Sequence, residues 1–163
     1  MSVDFYQAVC QEPPTRTLKF GICDDENGAK AYTNSTDNLK WVARVENPHG
    51  IEIIFTAIDN CISILKPSGD QQSRCDGMLT YLDNIVFVEL KNQRKGWIQD
   101  GIGQIEATIN VFKALHNLDA IKHKRAFVAN KKHPLFHTIE IETKQRFYHL
   151  HKVRLNLQAK ILI

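Results

Sequence analysis

The 163-residue chain is predicted to fold as an α/β protein with a mixed central β-sheet. Three observations predict this class. Apolar residues recur at alternating spacings of four and three over residues 97–118, which indicates one long amphipathic helix. Residues 85–91 just before it form a run of β-branched and aromatic residues that is typical of a strand. A second strand-like run follows at residues 125–129, and the order strand, helix, strand is typical of α/β domains.

The other elements are predicted in chain order. Residues 3–11 are predicted to form a short helix, which Pro13-Pro14 ends. The next strands are predicted between turn-rich segments at residues 17–22, 29–33, 41–45, 51–58 and 61–65. A hairpin is predicted over residues 74–91, a second helix at 141–150 and an apolar strand at 154–163. The expected architecture is one domain with a sheet flanked by helices, in which residues 1–50 form a β-rich extension of a core at residues 51–163.

Composition narrows the class of protein further. Hydrophobic residues make up 43% and charged residues 24%, the balance of an ordinary globular protein. No apolar run is long enough to span a bilayer, and the first residues lack the pattern of a signal peptide, so we expect a cytoplasmic protein without a membrane partner. The four cysteines contain no Cys-x-x-Cys pair and are predicted to be buried free thiols: Cys10, Cys23, Cys61 and Cys75.

Charge is distributed unevenly along the chain. Residues 1–118 contain 11 Lys/Arg and 15 Asp/Glu, a net −4, whereas residues 119–163 contain 10 and 3, a net +7. A basic segment after an acidic one indicates an anionic partner, and nucleic acid is the commonest, with DNA favoured over RNA. The alternative is a solvated surface with no partner.

The hairpin brings three ionisable residues together. With a turn centred on Asp83-Asn84, Asp76 is expected to face Lys91, and Met78 to face Glu89. Asp76, Glu89 and Lys91 then share one sheet face at the open end of the hairpin. Two carboxylates on the diagonal of a strand pair can bracket one hard cation, and oxygen ligands favour Mg²⁺ or Mn²⁺ over Zn²⁺. The alternative is a structural Asp76–Lys91 ion pair with Glu89 reaching solvent.

The segment Arg74-Cys75-Asp76-Gly77, followed by residues 85–93, resembles the PD-(D/E)xK nuclease superfamily. That superfamily includes Holliday-junction resolvases and many restriction endonucleases, and the resemblance covers about residues 51–130. It implies a restriction-endonuclease-like αβββαβ core and a metal-dependent nuclease, which is a hydrolase of phosphodiester bonds. Asp76, Glu89 and the main-chain carbonyl of Leu90 would bind the metal, and Lys91 would orient the attacking water.

The chain departs from the superfamily pattern at several positions. Cys75 replaces the proline before the aspartate, and the upstream helix that often supplies an acid is not predicted. Candidate substitutes for that acid are Glu46, Glu52 and Asp59. Gln104 is a second candidate accessory residue, although a threonine follows it at position 108, where some members have a tyrosine.

Nucleic-acid contacts are expected from basic residues after the hairpin and in the basic third of the chain: Arg94, Lys95, Lys122, Lys124, Arg125, Lys131 and Lys132. By analogy with nucleases of this size, a homodimer is expected. Two other functions stay open at this point. One is a catalytically inactive nucleic-acid-binding module with the same fold, and the other is a protein-interaction module, such as a defence or immunity factor.

Overall fold

A computed structural model describes residues 3–135, 137–138 and 141–163. These residues form nine strands and two α-helices, which confirms the mixed α/β class. The elements are β1 (Lys19–Cys23), β2 (Tyr32–Asn34), β3 (Ala43–Glu46), β4 (Ile54–Ala57), β5 (Gly77–Tyr81), β6 (Asn84–Lys91), α1 (Trp97–Leu115), β7 (His123–Asn130), α2 (Ile141–His151), β8 (Arg154–Leu157) and β9 (Lys160–Leu162).

The strands form two mixed sheets. The larger has the order β4-β5-β6-β7-β8, with β4, β5 and β6 antiparallel and β6, β7 and β8 parallel. Helices α1 and α2 are the crossovers that a parallel arrangement of β6, β7 and β8 requires. The smaller sheet has the order β2-β1-β3-β9, in which β9 runs parallel to β3. The fourth strand of the smaller sheet, β9, therefore comes from the last residues of the sequence and joins the three N-terminal strands.

The two faces of the larger sheet have different covers. On one face, Ile85 and Phe87 of β6 share a core with the apolar stripe of α1, which includes Ile105 and Phe112. On the other face, Val86 and Val88 of β6 share a second core with the smaller sheet. The prediction that helices flank the sheet is correct for the first face and wrong for the second, which the predicted β-rich extension covers.

Three local predictions are wrong. Residues 3–11 form a short 3-10 helix at Ala8–Cys10 and a bridge at Gln11 rather than an α-helix, and residues 61–65 form turns and one isolated bridge rather than a strand. The predicted strand at 154–163 is divided into β8 and β9, which belong to different sheets. The prediction of four free thiols is wrong for Cys10 and Cys61, which form a disulfide, and correct for Cys23 and Cys75, which are buried and free. Within the described ranges, no helix combines the length and the apolar composition needed to cross a membrane.

The hairpin is confirmed, but its predicted register is wrong. Gly77 pairs with Val88, and Tyr81 pairs with Asn84. The turn is Leu82-Asp83, one residue earlier than predicted, and exposed Leu82 has a φ of 46°. Asp76 is therefore level with Glu89 rather than with Lys91. Because the register differs by two residues, every side chain keeps its predicted face.

Candidate active site

The two predicted carboxylates meet where β5 begins. The ladder between β5 and β6 ends at the pair Gly77–Val88, so the last three residues of β6 extend past β5. The Asp76 side chain occupies the place of the missing strand, and the Leu90 N–H donates to Asp76 Oδ2 at 2.7 Å. This bond fixes Asp76 beside Glu89, which lies on β6 one residue before Leu90.

Both carboxylates are nearly inaccessible to solvent. Asp76 is 8% exposed and Glu89 is 2% exposed. Lys91 Nζ lies 3.5 Å from Glu89 Oε1, and the same ammonium donates to Gln104 Oε1 on α1. Glu89 Oε2 is buried and has no hydrogen-bond partner among the described residues. Buried polar atoms are almost always paired, so this oxygen marks a place where a ligand is expected.

Burial favours the protonated forms of both acids. Burial raises the pKa of Asp76 to about 6. Burial and then the charge of Asp76 raise the pKa of Glu89 well above its ordinary value, although Lys91 acts in the opposite direction. Both pKa values are raised, so without a cation these two acids favour their protonated forms.

The Leu90 carbonyl is oriented toward the same edge. The N–H and C=O of a strand residue point to the same side of the strand, and the Leu90 N–H points toward Asp76. Its carbonyl therefore also lies on the β5 side, past the end of that strand. Asp76, Glu89 and this carbonyl are hard oxygen ligands of the kind that Mg²⁺ and Mn²⁺ bind. In the described ranges, no three or more His, Cys, Asp or Glu side chains are grouped to hold a metal. A cation at this edge would therefore need water or substrate oxygens to complete its shell.

Helix α1 supports the site from the sheet face that it covers. Thr108 is buried, and its hydroxyl accepts from the Cys75 N–H at 2.7 Å and donates to the Gln104 carbonyl at 2.9 Å. The threonine therefore connects the residue before Asp76 to the helical turn that carries Gln104. Gly101 allows this close approach, because a Cβ there would meet the side chain of Val128 on β7.

Of the three candidate upstream acids, Asp59 is the one whose charge affects the pKa of Asp76. Its charge contributes to the raised pKa of Asp76, and it forms a salt bridge with Arg74 at 2.9 Å. Glu46 instead pairs with Lys160 across the smaller sheet, at 3.3 Å. Glu52 is exposed.

Sequence reasoning missed two residues near the site. Asp24, at the end of β1, has a larger effect than Asp59 on the pKa of Asp76. It also borders a cavity of 220 Å³ together with Leu90 and Lys91. Asn130 is fully buried at the end of β7, and its amide both accepts from the Gln93 N–H and donates to the Gln93 carbonyl. Asn130 could have been identified from the sequence, because it is a polar residue at the carboxyl end of a predicted buried strand. Asp24 could not have been identified in this way, because the smaller sheet brings it to the site.

The predicted nucleic-acid-binding residues divide into two groups. Arg94, Lys95, Lys131 and Lys132 follow the carboxyl ends of β6 and β7, the end at which Glu89 and Lys91 lie. Lys122, Lys124 and Arg125 lie at the start of β7, because Asn84 pairs with His123 and Lys91 pairs with Asn130 in the parallel register. Seven residue steps separate the two ends, about 23 Å at the usual rise of a strand. The second group therefore lies far from the carboxylates.

Comparison of the chain with models of protein families, with curated proteins and with solved structures found no match.

Proposed function

We propose that this protein is a metal-dependent nuclease that hydrolyses phosphodiester bonds in nucleic acid. The observation that carries the proposal is the buried Glu89 Oε2, which has no hydrogen-bond partner in the described part of the chain and lies beside the Asp76 carboxylate and the Lys91 ammonium. Leaving a buried carboxylate oxygen without a partner is costly. A divalent cation between the two acids would remove that cost and displace the protons that burial favours there.

Each residue has a separate role in this proposal. Asp76, Glu89 and the Leu90 carbonyl would hold Mg²⁺ or Mn²⁺, which when bound lowers the pKa of a coordinated water and offsets negative charge on phosphate oxygens. Lys91 provides a fixed positive charge next to the reacting phosphate and orients the attacking water. Gln104 holds the Lys91 ammonium in position, and Asp59 is an accessory acid that acts on Asp76 through its charge.

The substrate is held by charge at the carboxyl end of the sheet. Arg94, Lys95, Lys131 and Lys132 are exposed there and suit contacts to backbone phosphates, which carry no sequence information. DNA is the favoured substrate, and a homodimer would place two such sites on the two strands of a duplex.

One observation favours a second candidate, an inactive nucleic-acid-binding or protein-interaction module. The raised pKa values of Asp76 and Glu89 allow protonation to neutralise the pair without a cation. In that case the carboxylates are structural. Removing them would then alter stability and leave binding unchanged.

The deciding experiment incubates the purified protein with single- and double-stranded DNA and with RNA, in Mg²⁺, in Mn²⁺ and in EDTA. We expect cleavage in either metal, no cleavage in EDTA, and loss of cleavage in Glu89→Gln, which preserves side-chain shape. Lys66→Gln, an exposed change far from the pair in sequence, is the matched control and should cleave normally. Circular dichroism establishes that both variants fold. Metal-dependent cleavage that persists in folded Glu89→Gln would assign the activity to another site or to a contaminant.

A further inference from the structure

The parallel strands β6, β7 and β8 begin around a second surface feature, remote from the carboxylates. A cavity of 380 Å³ lies at these amino ends, and a wider depression of 1120 Å³ continues from it along α2. The two share Tyr148, Lys152 and Arg154. We call this surface the basic groove and define it by Lys122, Lys124, Lys144, Tyr148, Lys152 and Arg154.

The basic groove is strongly cationic. Among the residues that the structure describes, the lining of the two depressions includes seven Lys/Arg and one acid, Glu142. Two of those seven are engaged within the protein, since Arg125 donates to the Tyr81 hydroxyl and Arg146 pairs with Glu106. The five cations of the groove form no ion pair with any residue that the structure describes. Clustered like charges repel one another, and a polyanion relieves that repulsion.

An aromatic ring lies in the middle of these cations. Tyr148 on α2 is 45% exposed, and Lys152 Nζ lies 5.6 Å from the centroid of its ring. An exposed ring among lysines suits a strand whose bases are unpaired, because a base stacks on the ring while the neighbouring phosphates contact the ammonium groups. Duplex DNA has no free base face to offer to Tyr148. The ring therefore favours a single-stranded ligand.

We infer that the basic groove is a second binding surface, which takes single-stranded nucleic acid with phosphates on its lysines and one base stacked on Tyr148. The groove and the carboxylates are separated by about 23 Å, or about seven stacked nucleotides. Binding in the groove stands independently of cleavage. Only its use for holding a strand that is cut at the other end of the sheet rests on the proposed function.

The test is binding in EDTA, which prevents metal-dependent cleavage. Fluorescence anisotropy with labelled oligo-dT and oligo-U of about 12 nucleotides is measured over a series of salt concentrations. For Lys124→Gln/Lys152→Gln we expect about tenfold weaker binding and a salt slope that is smaller by about 1.4, because two phosphate contacts are lost. The control Lys19→Gln/Lys66→Gln removes the same charge from exposed positions outside the groove and should bind as the wild type does.

The stacking contact has its own matched pair of variants. Tyr148→Phe keeps the aromatic face and should bind normally, whereas Tyr148→Leu keeps an apolar side chain without that face and should bind about tenfold more weakly. Equal affinities for these two variants would exclude stacking on Tyr148 and overturn the inference in its stated form.

Three further outcomes would overturn the inference that the groove binds single-stranded nucleic acid. They are absence of oligonucleotide binding by the wild type, full binding by the double-lysine variant, and binding of anionic phospholipid vesicles in place of oligonucleotides. The Glu89→Gln variant separates this inference from the proposed function. If Glu89→Gln loses cleavage while the groove variants bind normally, the binding role of the groove is rejected and the proposed nuclease function is retained. If binding depends on the groove residues but the protein never cleaves nucleic acid, the groove is supported and the nuclease function is rejected.

Discussion

The charged side chains at the two ends of the larger sheet differ in their exposure to solvent. At the carboxyl end, two acids and an ammonium are withdrawn from solvent, and the Lys91 side chain is only 10% exposed. At the amino end, the cations of the basic groove lie in or near solvent, around a half-exposed tyrosine. Glu89 and Lys91 lie at the end of β6, and Lys124 lies at the start of the neighbouring parallel strand β7, so one sheet connects the two ends.

The difference indicates two kinds of work. Burying charge costs several kcal/mol unless a partner compensates, so a buried set of acids points to a specific ligand and to chemistry at fixed distances. Exposed cations are individually inexpensive and act together through their summed field, which salt weakens. We therefore expect the carboxyl end to respond to changes of single atoms and of pH, and the amino end to respond to ionic strength.

The largest effect is expected for Lys91→Met, which removes the charge while keeping an unbranched side chain. Cleavage should fall by about 10³-fold, the usual loss for a charge that stabilises a transition state. Binding to single-stranded oligonucleotides in EDTA should hardly change, because the basic groove is intact. Steady-state cleavage rates and anisotropy measure the two quantities. Equal losses in both would mean that Lys91 holds substrate rather than assisting the reaction.

The next effect is a pH dependence of stability in the metal-free protein. A carboxyl group with a higher pKa in the folded state keeps its proton while the unfolded chain loses it. The free energy of unfolding should therefore fall as the pH rises from 3.8, the ordinary pKa of an aspartate, to about 6, the pKa of Asp76 in the folded protein. The contribution of Asp76 is at most about 3 kcal/mol.

Urea unfolding in EDTA at several pH values measures this loss. The Asp76→Asn/Glu89→Gln variant cannot ionise at the pair and should lose less stability over the same interval. Saturating Mg²⁺ at neutral pH should stabilise the wild type and not this variant. Parallel pH profiles for the two proteins would contradict the assignment.

Sequence reasoning succeeded where the signal is local. The apolar stripe of α1 follows from spacings within one helix, and the strand character of β6 follows from its own residues. The common face of Asp76, Glu89 and Lys91 was also predicted correctly, although the register was not. A hairpin slip of two residues preserves faces, whereas a slip of one would have moved Glu89 away from α1.

Two of the failures have a conformational or a non-local cause. Leu82 occupies the left-handed region at a turn position where a pattern-based argument favours Asp or Asn. The smaller sheet depends on β9, which pairs with β3 more than 110 positions earlier in the chain. No window of sequence contains both strands, and so neither the second cover of the larger sheet nor the arrival of Asp24 at the site was predictable.

A smaller effect is expected for Thr108→Val, which tests whether α1 positions Asp76. Valine has nearly the same shape, but it leaves the buried Cys75 N–H without its acceptor, at a cost of about 2 kcal/mol. Thermal unfolding should show this loss, and cleavage should fall because the segment before Asp76 is no longer held. Thr108→Ser keeps the hydroxyl and should recover much of the lost cleavage. A serine variant as inactive as the valine variant would assign the loss to packing instead.

The smallest effect is expected for Arg125→Met at the amino end, where the guanidinium is used inside the protein. It donates to the Tyr81 hydroxyl at 2.7 Å and lies 5.4 Å from the centroid of the Phe127 ring. Its loss should cost about 1 kcal/mol of stability and leave oligonucleotide binding unchanged, unlike the loss of Lys124 and Lys152. Tyr81→Phe should remove part of the same stability, so the double variant should lose less than the sum of the two single losses. Weaker binding by Arg125→Met, with no change in stability, would instead place Arg125 among the residues that contact nucleic acid. The distinction between an arginine engaged inside the protein and the groove cations, which form no ion pair with the described residues, would then be wrong.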